Sequence, residues 1–545
     1  MEFNLADLFE CVADSVPEDE AVVWGSIRWT YAALDEAATR FANGLAALGV
    51  GAGDHVGIAL RDRPEHLQAM LACYKLRAVP INVNYRYVSD ELRYLCDDAE
   101  LVALIAGPDQ LASMGGALPR IAIELDGGDA HAPASALPFA NVAAGDAARA
   151  FGQRSGEDHY ILYTGGTTGM PKGVVWRQED IFFAAMGGGN PGGPPIEEPS
   201  AIRASVLGNR AGRVRPFLGP DDPPPEHLVT LAIGPLVHAS GQWSALGTLL
   251  AGGTVVLFPD DHADAARVLD VMAAERVVAC NVVGDAIARP MIELLEAEPG
   301  RWDLSALLLL GSGGSIFSGD VKDRMLAAIP SLLAIIDGIG SSESPAQAVA
   351  VTTRGGTPTA SLRFSAKPTT IVVDDALRPI PPGTGVPGRL ATTGHVPLGY
   401  YKDLDRSART FVEIEGKRWS LPGDMAVIDA DGTVRLLGRG SQCINTGGEK
   451  VYPEEVEAVL KQHDAVEDAL VIGVPDERWG QRVCAIVEPA GHDELTLDAL
   501  QEHCRGKIAG YKVPRQLRMV DRIKRLPNGK ADYVWASKTA VSPTA

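Results

Sequence analysis

Tyr163-Thr164-Gly165-Gly166-Thr167-Thr168-Gly169-Met170-Pro171-Lys172-Gly173 lies between two apolar runs, Ile161–Tyr163 before it and Val174–Trp176 after it. The runs read as strands and the middle reads as the loop joining them. Gly165, Gly166 and Gly169 let backbone N–H groups approach a polyanion with no Cβ in the way. The hydroxyls of Thr164, Thr167 and Thr168 add donors, and Lys172 adds a positive charge. The composition is that of a phosphate cradle. It is not a Walker A loop, because Lys172 follows a proline and is not followed by Ser or Thr. That disfavours a P-loop kinase or GTPase.

Outward from this loop, strand and helix patterns alternate. Thr30 caps an expected helix whose apolar face is Leu34, Ala38, Phe41, Leu45 and Leu48, with Gly49 as its stop. His55–Leu60 reads as a buried strand, Leu67–Tyr74 as a helix and Ala78–Val83 as a second strand. Val255–Phe258, Val277–Val283 and Ala306–Leu310 repeat the strand pattern. Such alternation predicts α/β architecture, parallel sheet with helices packed on it. After Gly438 the pattern changes to short alternating elements (Pro453–Leu460, Leu470–Val474, Cys484–Val487, Leu495–Ile508, Gln516–Val520), enough for a small α+β C-terminal domain. The expected division is 1–439 and 440–545, with a hinge near Gly440–Ser441. Met186–Pro225, rich in Gly and Pro, reads as a surface loop or insertion.

A length of 545 residues exceeds one hydrophobic core, in keeping with two domains. A net charge of −21 argues against backbone-driven binding to nucleic acid, which needs basic stripes. The seven cysteines show no metal-ligand spacing and read as reduced, mostly buried thiols. The first residues, MEFNLADLFECVADSV, carry acidic residues and no basic n-region, so no secretory leader is expected. No apolar run is long enough to span a bilayer. A cytoplasmic protein is the expectation.

All ten positions of Thr164–Gly173 resemble the signature of the adenylate-forming superfamily, which includes acyl-CoA synthetases, luciferases and peptide-synthetase adenylation domains. Further blocks follow in that family's order over nearly the whole chain. Pro235-Leu236-Val237-His238-Ala239-Ser240-Gly241 resembles the acyl-pocket block, with His238 and Gly241 as its lining. Gly311-Ser312-Gly313-Gly314-Ser315 resembles the turn along the adenine and the acyl carboxyl, which makes Gly311 and Gly313 pocket residues and Gly313, Gly314 and Ser315 nucleotide contacts.

Asp337-Gly338-Ile339-Gly340-Ser341-Ser342-Glu343 resembles the nucleotide block in which Glu343 holds magnesium with Thr164. Ile339 departs from the aromatic that the family places beside the adenine, whereas Ser342 keeps the hydroxyl. Asp424 and Arg439 match the residues that meet the ribose. Ser441 stands where the family's hinge carries Asp or Lys. Gly447-Gly448-Glu449 resembles the edge of the pantetheine tunnel, and Lys530, in Leu526-Pro527-Asn528-Gly529-Lys530, matches the terminal catalytic lysine. Val283–Pro290, Gly340–Glu343 and Gly529–Ala536 are similar to actinobacterial fatty-acyl-CoA synthetases, some of which act on steroid side-chain acids.

The resemblance implies a large α/β domain of the adenylate-forming type with a mobile small domain. It implies ATP, Mg2+, coenzyme A and a small-molecule carboxylic acid as the molecules bound, and relatives suggest a homodimer. The implied reaction forms an acyl-adenylate and then a CoA thioester, with Lys530, Glu343, Lys172 and Thr164 in the chemistry. Two rival readings are a ligase that loads a carrier protein or takes another acid class, and a catalytically silent nucleotide-binding protein.

Overall fold

The computed structural model describes residues 1–541 apart from 88, 116, 126–132, 134, 165–170, 220–223, 261–263, 315–316, 357–362, 440–441, 443, 447–448, 477–479, 492–494, 506, 509 and 527–530. Two large sheets and one small one carry the fold. The first runs Gly399–Tyr400, Lys172–Arg177, His159–Thr164, Val79–Asn82, His55–Ala59, Ala103–Ala106, Ile121–Glu124, Leu137–Pro138. Its pairings from His159–Thr164 onward are parallel, and the two strands on the other side are antiparallel. The central strand His55–Ala59 is buried throughout, which is why it reads as one apolar run rather than an alternation.

The second sheet has a parallel half and an antiparallel half. Glu20–Trp24, Thr254–Leu257, Val229–Ala232, Ala279–Val282, Leu309–Gly313 and Ala334–Ser341 run parallel. Ser344–Thr353 then turns back, and the sheet continues through Arg363–Ala366, Thr433–Arg439, Asp424–Ile428, Gly388–Thr393, Lys417–Ser420 and Phe411–Ile414. The small sheet pairs Ile444–Thr446, Glu449–Val451, Gly480–Pro489, Val466–Asp476 and Gln516–Met519, with helices Pro453–Leu460, Leu497–Cys504 and Tyr533–Val541 beside it. The fold is thus a large α/β domain followed by a small one, as the sequence leads one to expect.

Helix Tyr31–Ala47 forms as its pattern predicts: the Thr30 hydroxyl accepts from the Ala33 N–H, and Leu34, Ala38, Phe41 and Leu45 are fully buried. Helix Pro453–Leu460 recurs with its expected ends, and His55–Ala59, Pro64–Lys75 and Val79–Asn82 recur with shifted ends. One expectation is corrected. Met186–Pro225 is not merely a surface loop: it contains the helix Ile202–Gly208 and the 3-10 turn Gly212–Phe217. Ile202 and Val206, one helical turn apart, are buried in the main core, and Val214 is buried as well. The surrounding glycines and prolines hide this short apolar pair from a periodicity reading.

Three helices of the large domain meet at one buried cation. Lys75, 1% exposed at the end of Pro64–Lys75, donates to Glu10 on Leu5–Ser15 and to Asp35 on Tyr31–Ala47 at 2.5 and 2.8 Å. Arg154 also donates to Glu10, and Arg149 to Asp35. Removing the central cation leaves two carboxylates short of a partner in a dry site. Lys75→Met is expected to cost about 3 kcal/mol, read as a lower urea midpoint for loss of the large domain's tertiary signal.

Candidate active site

The Gly/Thr loop is closed at its base by antiparallel pairing that puts Thr164 opposite Lys172 and Tyr163 opposite Gly173. A hairpin delivers both ends of the loop to the same edge of the sheet, the edge at which the parallel strands end. The loop residues Gly165, Gly166, Thr167, Thr168 and Gly169 lie outside the described residues, as do Ser315, Gly447, Gly448 and Lys530.

Asn82, the last residue of Val79–Asn82, clamps this hairpin from beside it. Its side-chain carbonyl accepts from the Tyr163 N–H at 2.7 Å, and its amide donates to the carbonyls of Tyr163 and Val237 at 2.7 and 2.8 Å. One buried side chain therefore fixes the loop's entry strand against the turn that precedes His238. Asp62, just past the neighbouring strand, accepts from the Leu236 N–H at 2.7 Å on the same turn. His238 then stands at the N-terminus of helix Ala239–Leu249, with Gly241 in its first turn.

Lys172 is held by Asp403 at 2.5 Å. That contact, followed by the N–H of Arg406, keeps the Asp403 carboxyl below its usual range. Asp403 also caps helix Leu404–Thr410. Three residues earlier, the Tyr400 hydroxyl donates to Glu343 Oε1 at 2.6 Å. Tyr400 is raised above the usual phenol range, first by burial and then by the Glu343 charge, so it stays a proton donor. The strand Gly399–Tyr400 pairs with Val174 and Val175 of the loop's return strand. Trp176 of that strand donates from its indole to the Ser342 carbonyl at 3.1 Å. Lys172, Asp403, Tyr400 and Glu343 thus form one connected group across the two large sheets.

The remaining motif residues fall on strands of the second sheet. Gly311 pairs with Ile336, Ser312 with Asp337 and Gly313 with Gly338, so the two blocks lie side by side, with Gly314 just beyond the strand. A Cβ on Gly311 would run into the amide oxygen of Asn281, so a larger residue there requires the Asn281 side chain to move. Asp337 is engaged by the buried ammonium of Lys322 at 3.0 Å, while burial raises its carboxyl above the ordinary value. Ile339 is 5% exposed and packs in an apolar cluster with Ala348, Phe364 and Val372. Its missing aromatic ring is thus replaced by a core side chain. Gly340 and Ser341 complete this strand, and the Glu343 N–H donates to the Ser341 hydroxyl at 3.3 Å.

Asp424 and Arg439 are direct cross-strand partners, joined by a hairpin with a bulge at Met425. Gly438, before Arg439, takes φ +106° and faces Glu454 of the first small-domain helix. Tyr452 packs on Val427 and Leu437, and Arg289 meets Glu467 at 3.4 Å, so the small domain touches the large one at both places. Glu449 begins the small-domain strand Glu449–Val451 and pairs with Thr446. A cavity of about 210 Å³ is lined by Gly311, Ser312, Gly338, Asn281, Ile336 and Arg213, among others. A larger one of about 570 Å³ near Trp29 and Phe139 has no motif residue in its lining. Asn82, Asp62, Tyr400, Asp403 and Arg213 carry no signal in their local sequence; only the fold assembles them.

The fold is that of an adenylate-forming enzyme, two large sheets followed by a small C-terminal domain. The chain matches the AMP-binding enzyme model over residues 9–401 and the AMP-binding enzyme C-terminal domain over 455–530, and it belongs to that family. It is 42% identical to the 3-oxocholest-4-en-26-oate–CoA ligase of Rhodococcus rhodochrous, over 100% of this chain and 97% of the relative. It is 41% identical to the medium/long-chain-fatty-acid–CoA/3-oxocholest-4-en-26-oate–CoA ligase of Mycolicibacterium smegmatis, over 98% and 96%. The crystal structure of the anthranilate CoA ligase AuaEII with anthranoyl-AMP superposes with a TM-score of 0.80 at 22% identity, covering 98% of this chain and 97% of that one. The protein is an AMP-forming acid–CoA ligase, an acyl-CoA synthetase. Among the described residues no helix is long and apolar enough to cross a membrane.

Asp62 gives the site a pH signature. Burial pushes its carboxyl from 3.8 to about 7 against the opposing pull of the Leu236 N–H and Arg86. The folded chain therefore holds a proton that the unfolded chain has released between those values. Asp62 supports the fold below about 4, and that support fades as pH rises to about 7. Asp62→Asn, which keeps the acceptor for Leu236, should gain stability relative to wild type across this window, by up to roughly 1.4 kcal/mol per pH unit. Urea titrations at several pH values would measure the difference; parallel curves would contradict it.

Proposed function

We propose that this ligase activates a medium- or long-chain fatty acid or a steroid side-chain acid, with the machinery centred on Lys172, Glu343 and Lys530. The observation that carries the assignment of roles is the linked group Lys172–Asp403–Tyr400–Glu343, which brings the loop lysine and the strand-end carboxylate to one place. The acid class is supported by the printed names of the relatives at 40–42% identity, which are ligases for medium/long-chain fatty acids and for 3-oxocholest-4-en-26-oate.

In the first half-reaction the substrate carboxylate oxygen attacks the α-phosphorus of ATP and pyrophosphate leaves. The obstacle is the approach of one anion to a polyanion. The Gly/Thr loop and Lys172 receive the β- and γ-phosphates, while Lys530 bridges the attacking oxygen and the α-phosphate. Asp424 and Arg439 hold the ribose. Gly313, Gly314, Ser315, Asp337, Gly338 and the strand that follows edge the base. In the second half-reaction the CoA thiol loses its proton, its sulfur attacks the acyl carbon and AMP departs.

Mg2+ fits the donor set. Glu343 Oε1 is taken by Tyr400, and Oε2 has no hydrogen-bond partner among the described residues, which leaves a carboxylate oxygen for a hard cation beside Thr164. Bound there, the cation would neutralise charge on the phosphates. Tyr400 is the residue that aims this carboxylate.

The two half-reactions need different surroundings at one centre. The small domain, entered at Gly440–Ser441, turns to present Lys530 for the first and the Gly447-Gly448-Glu449 edge for the second. The cytoplasm, where ATP and CoA are found together, is the compartment that suits this chemistry.

Lys530→Ala is expected to abolish adenylate formation, followed by acid-dependent pyrophosphate release, yet largely spare thioester formation from supplied acyl-adenylate. Equal loss in both steps would sink the alternation. Tyr400→Phe should raise the Mg2+ concentration needed for half-maximal pyrophosphate release by roughly tenfold, the loss of one hydrogen bond to a charged group. An unchanged Mg2+ dependence would remove Tyr400 from that role. An acid panel from acetate through long chains to steroid acids, scored with free CoA, would define the substrate and separate CoA from a carrier protein as acceptor.

A further inference from the structure

The cavity at Gly311, Ser312 and Gly338 does not end in an apolar wall. It follows the parallel strands from the level of Gly338 back to the level of Thr230, Ala279 and Leu309. That is four residues of strand, about 13 Å at 3.3 Å per residue. Ala279, Leu309, Ile336, Ala346 and Val349 make most of its lining apolar. At the far level two polar residues join the lining.

One is Arg213, on the 3-10 turn Gly212–Phe217 within the Gly/Pro-rich insertion. It lines the cavity, and its guanidinium lies where a side chain at Gly247 on helix Ala239–Leu249 would meet it. It makes no hydrogen bond or ion pair among the described residues. Burial alone pulls its pKa below the usual guanidinium value, and no carboxylate offsets that. The other is the Thr230 hydroxyl, fully buried and likewise without a hydrogen-bond partner. A half-buried cation with no counter-ion and a buried hydroxyl with no partner both gain when a ligand supplies an acceptor. A plain methyl-terminated chain filling this cavity would keep both from water and satisfy neither.

We propose that Arg213 and Thr230 form a specificity subsite for an acid that carries an acceptor oxygen, keto or carboxylate, at the end remote from the carboxyl being activated. Arg213 donates to that oxygen, and its fork accepts either geometry. The Gly/Pro-rich insertion is then the element that reads the tail of the substrate. This rests on the acyl-CoA ligase reading and adds to it the residues that read the remote end of the acid. Discrimination of this kind is steep, because an analogue lacking the oxygen leaves the buried donors unpaired.

The test compares three acids of equal length, in a series of about eight to twelve carbons: a dicarboxylic acid, an acid with a keto group near its far end and the methyl-terminated acid. Pyrophosphate release and thioester formation are followed for wild type, Arg213→Leu, Arg213→Lys and Thr230→Val. Wild type is expected to favour an oxygenated acid over the methyl-terminated one by at least tenfold in kcat/KM. Arg213→Leu should erase that ratio, chiefly through KM; Arg213→Lys and Thr230→Val should lower it partially. Preference for the dicarboxylic acid alone shows that charge is read, and preference for both oxygenated acids shows that an acceptor suffices; either supports the subsite. Turnover of all three acids without preference, or the same fold-loss for all three in Arg213→Leu, overturns it while leaving the ligase reading intact. Arg213→Lys and Thr230→Val decide the matter if the leucine variant does not fold. No turnover of these three acids by an enzyme that activates another acid of the wider panel overturns the subsite and leaves the ligase reading intact; no turnover of any panel acid overturns both.

Discussion

The side chain of Asn82 holds the site together. Its amide spends two donor contacts and one acceptor contact on backbone groups of two separate segments, the strand that feeds the Gly/Thr loop and the turn that feeds His238. Buried amide groups left without partners are costly, so the three contacts lock the relative height of the two segments. Everything placed by the hairpin follows from that height: Thr164 opposite Lys172, the return strand against Gly399–Tyr400, and through Tyr400 the orientation of Glu343.

The two large sheets contribute different kinds of group. The first brings Thr164 and Lys172; the second brings carboxylates, Asp337 within strand Ala334–Ser341 and Glu343 in the turn that follows it. Positive and negative groups that would collapse on each other are kept in separate pairs, Lys172 with Asp403 and Lys322 with Asp337. The short stretch from Gly399 to Asp403 touches both sides, and this makes it the joint of the site although it contains none of the signature motifs.

Much of this was legible from the sequence, and for a physical reason. A loop that wraps a polyanion must be contiguous and rich in glycine, so Thr164–Gly173 announces itself. Helix Tyr31–Ala47 shows in its 3.6-residue spacing, and the parallel strands in their unbroken apolar runs. What stayed hidden acts across distance. Asn82 meets Val237 across 155 positions, Asp62 meets Leu236 across 174 and Lys172 meets Asp403 across 231. Tyr400 reads locally as one more strand residue. The insertion Met186–Pro225 misled for the opposite reason: its composition is that of a loop, but Ile202 and Val206 suffice to anchor a short helix once a core exists to receive them.

Asp403 has two unrelated attachments, the ammonium of Lys172 on one oxygen and the N–H of Arg406 on the other. The lysine is holstered rather than built in. When an arriving anion draws the ammonium away, the carboxylate still caps helix Leu404–Thr410, and the Tyr400 hydroxyl beneath Glu343 has no reason to shift. The mobile charge and the fixed scaffold are thereby mechanically decoupled at a single side chain, and the loop can change what it holds while the opposite wall of the site keeps its shape.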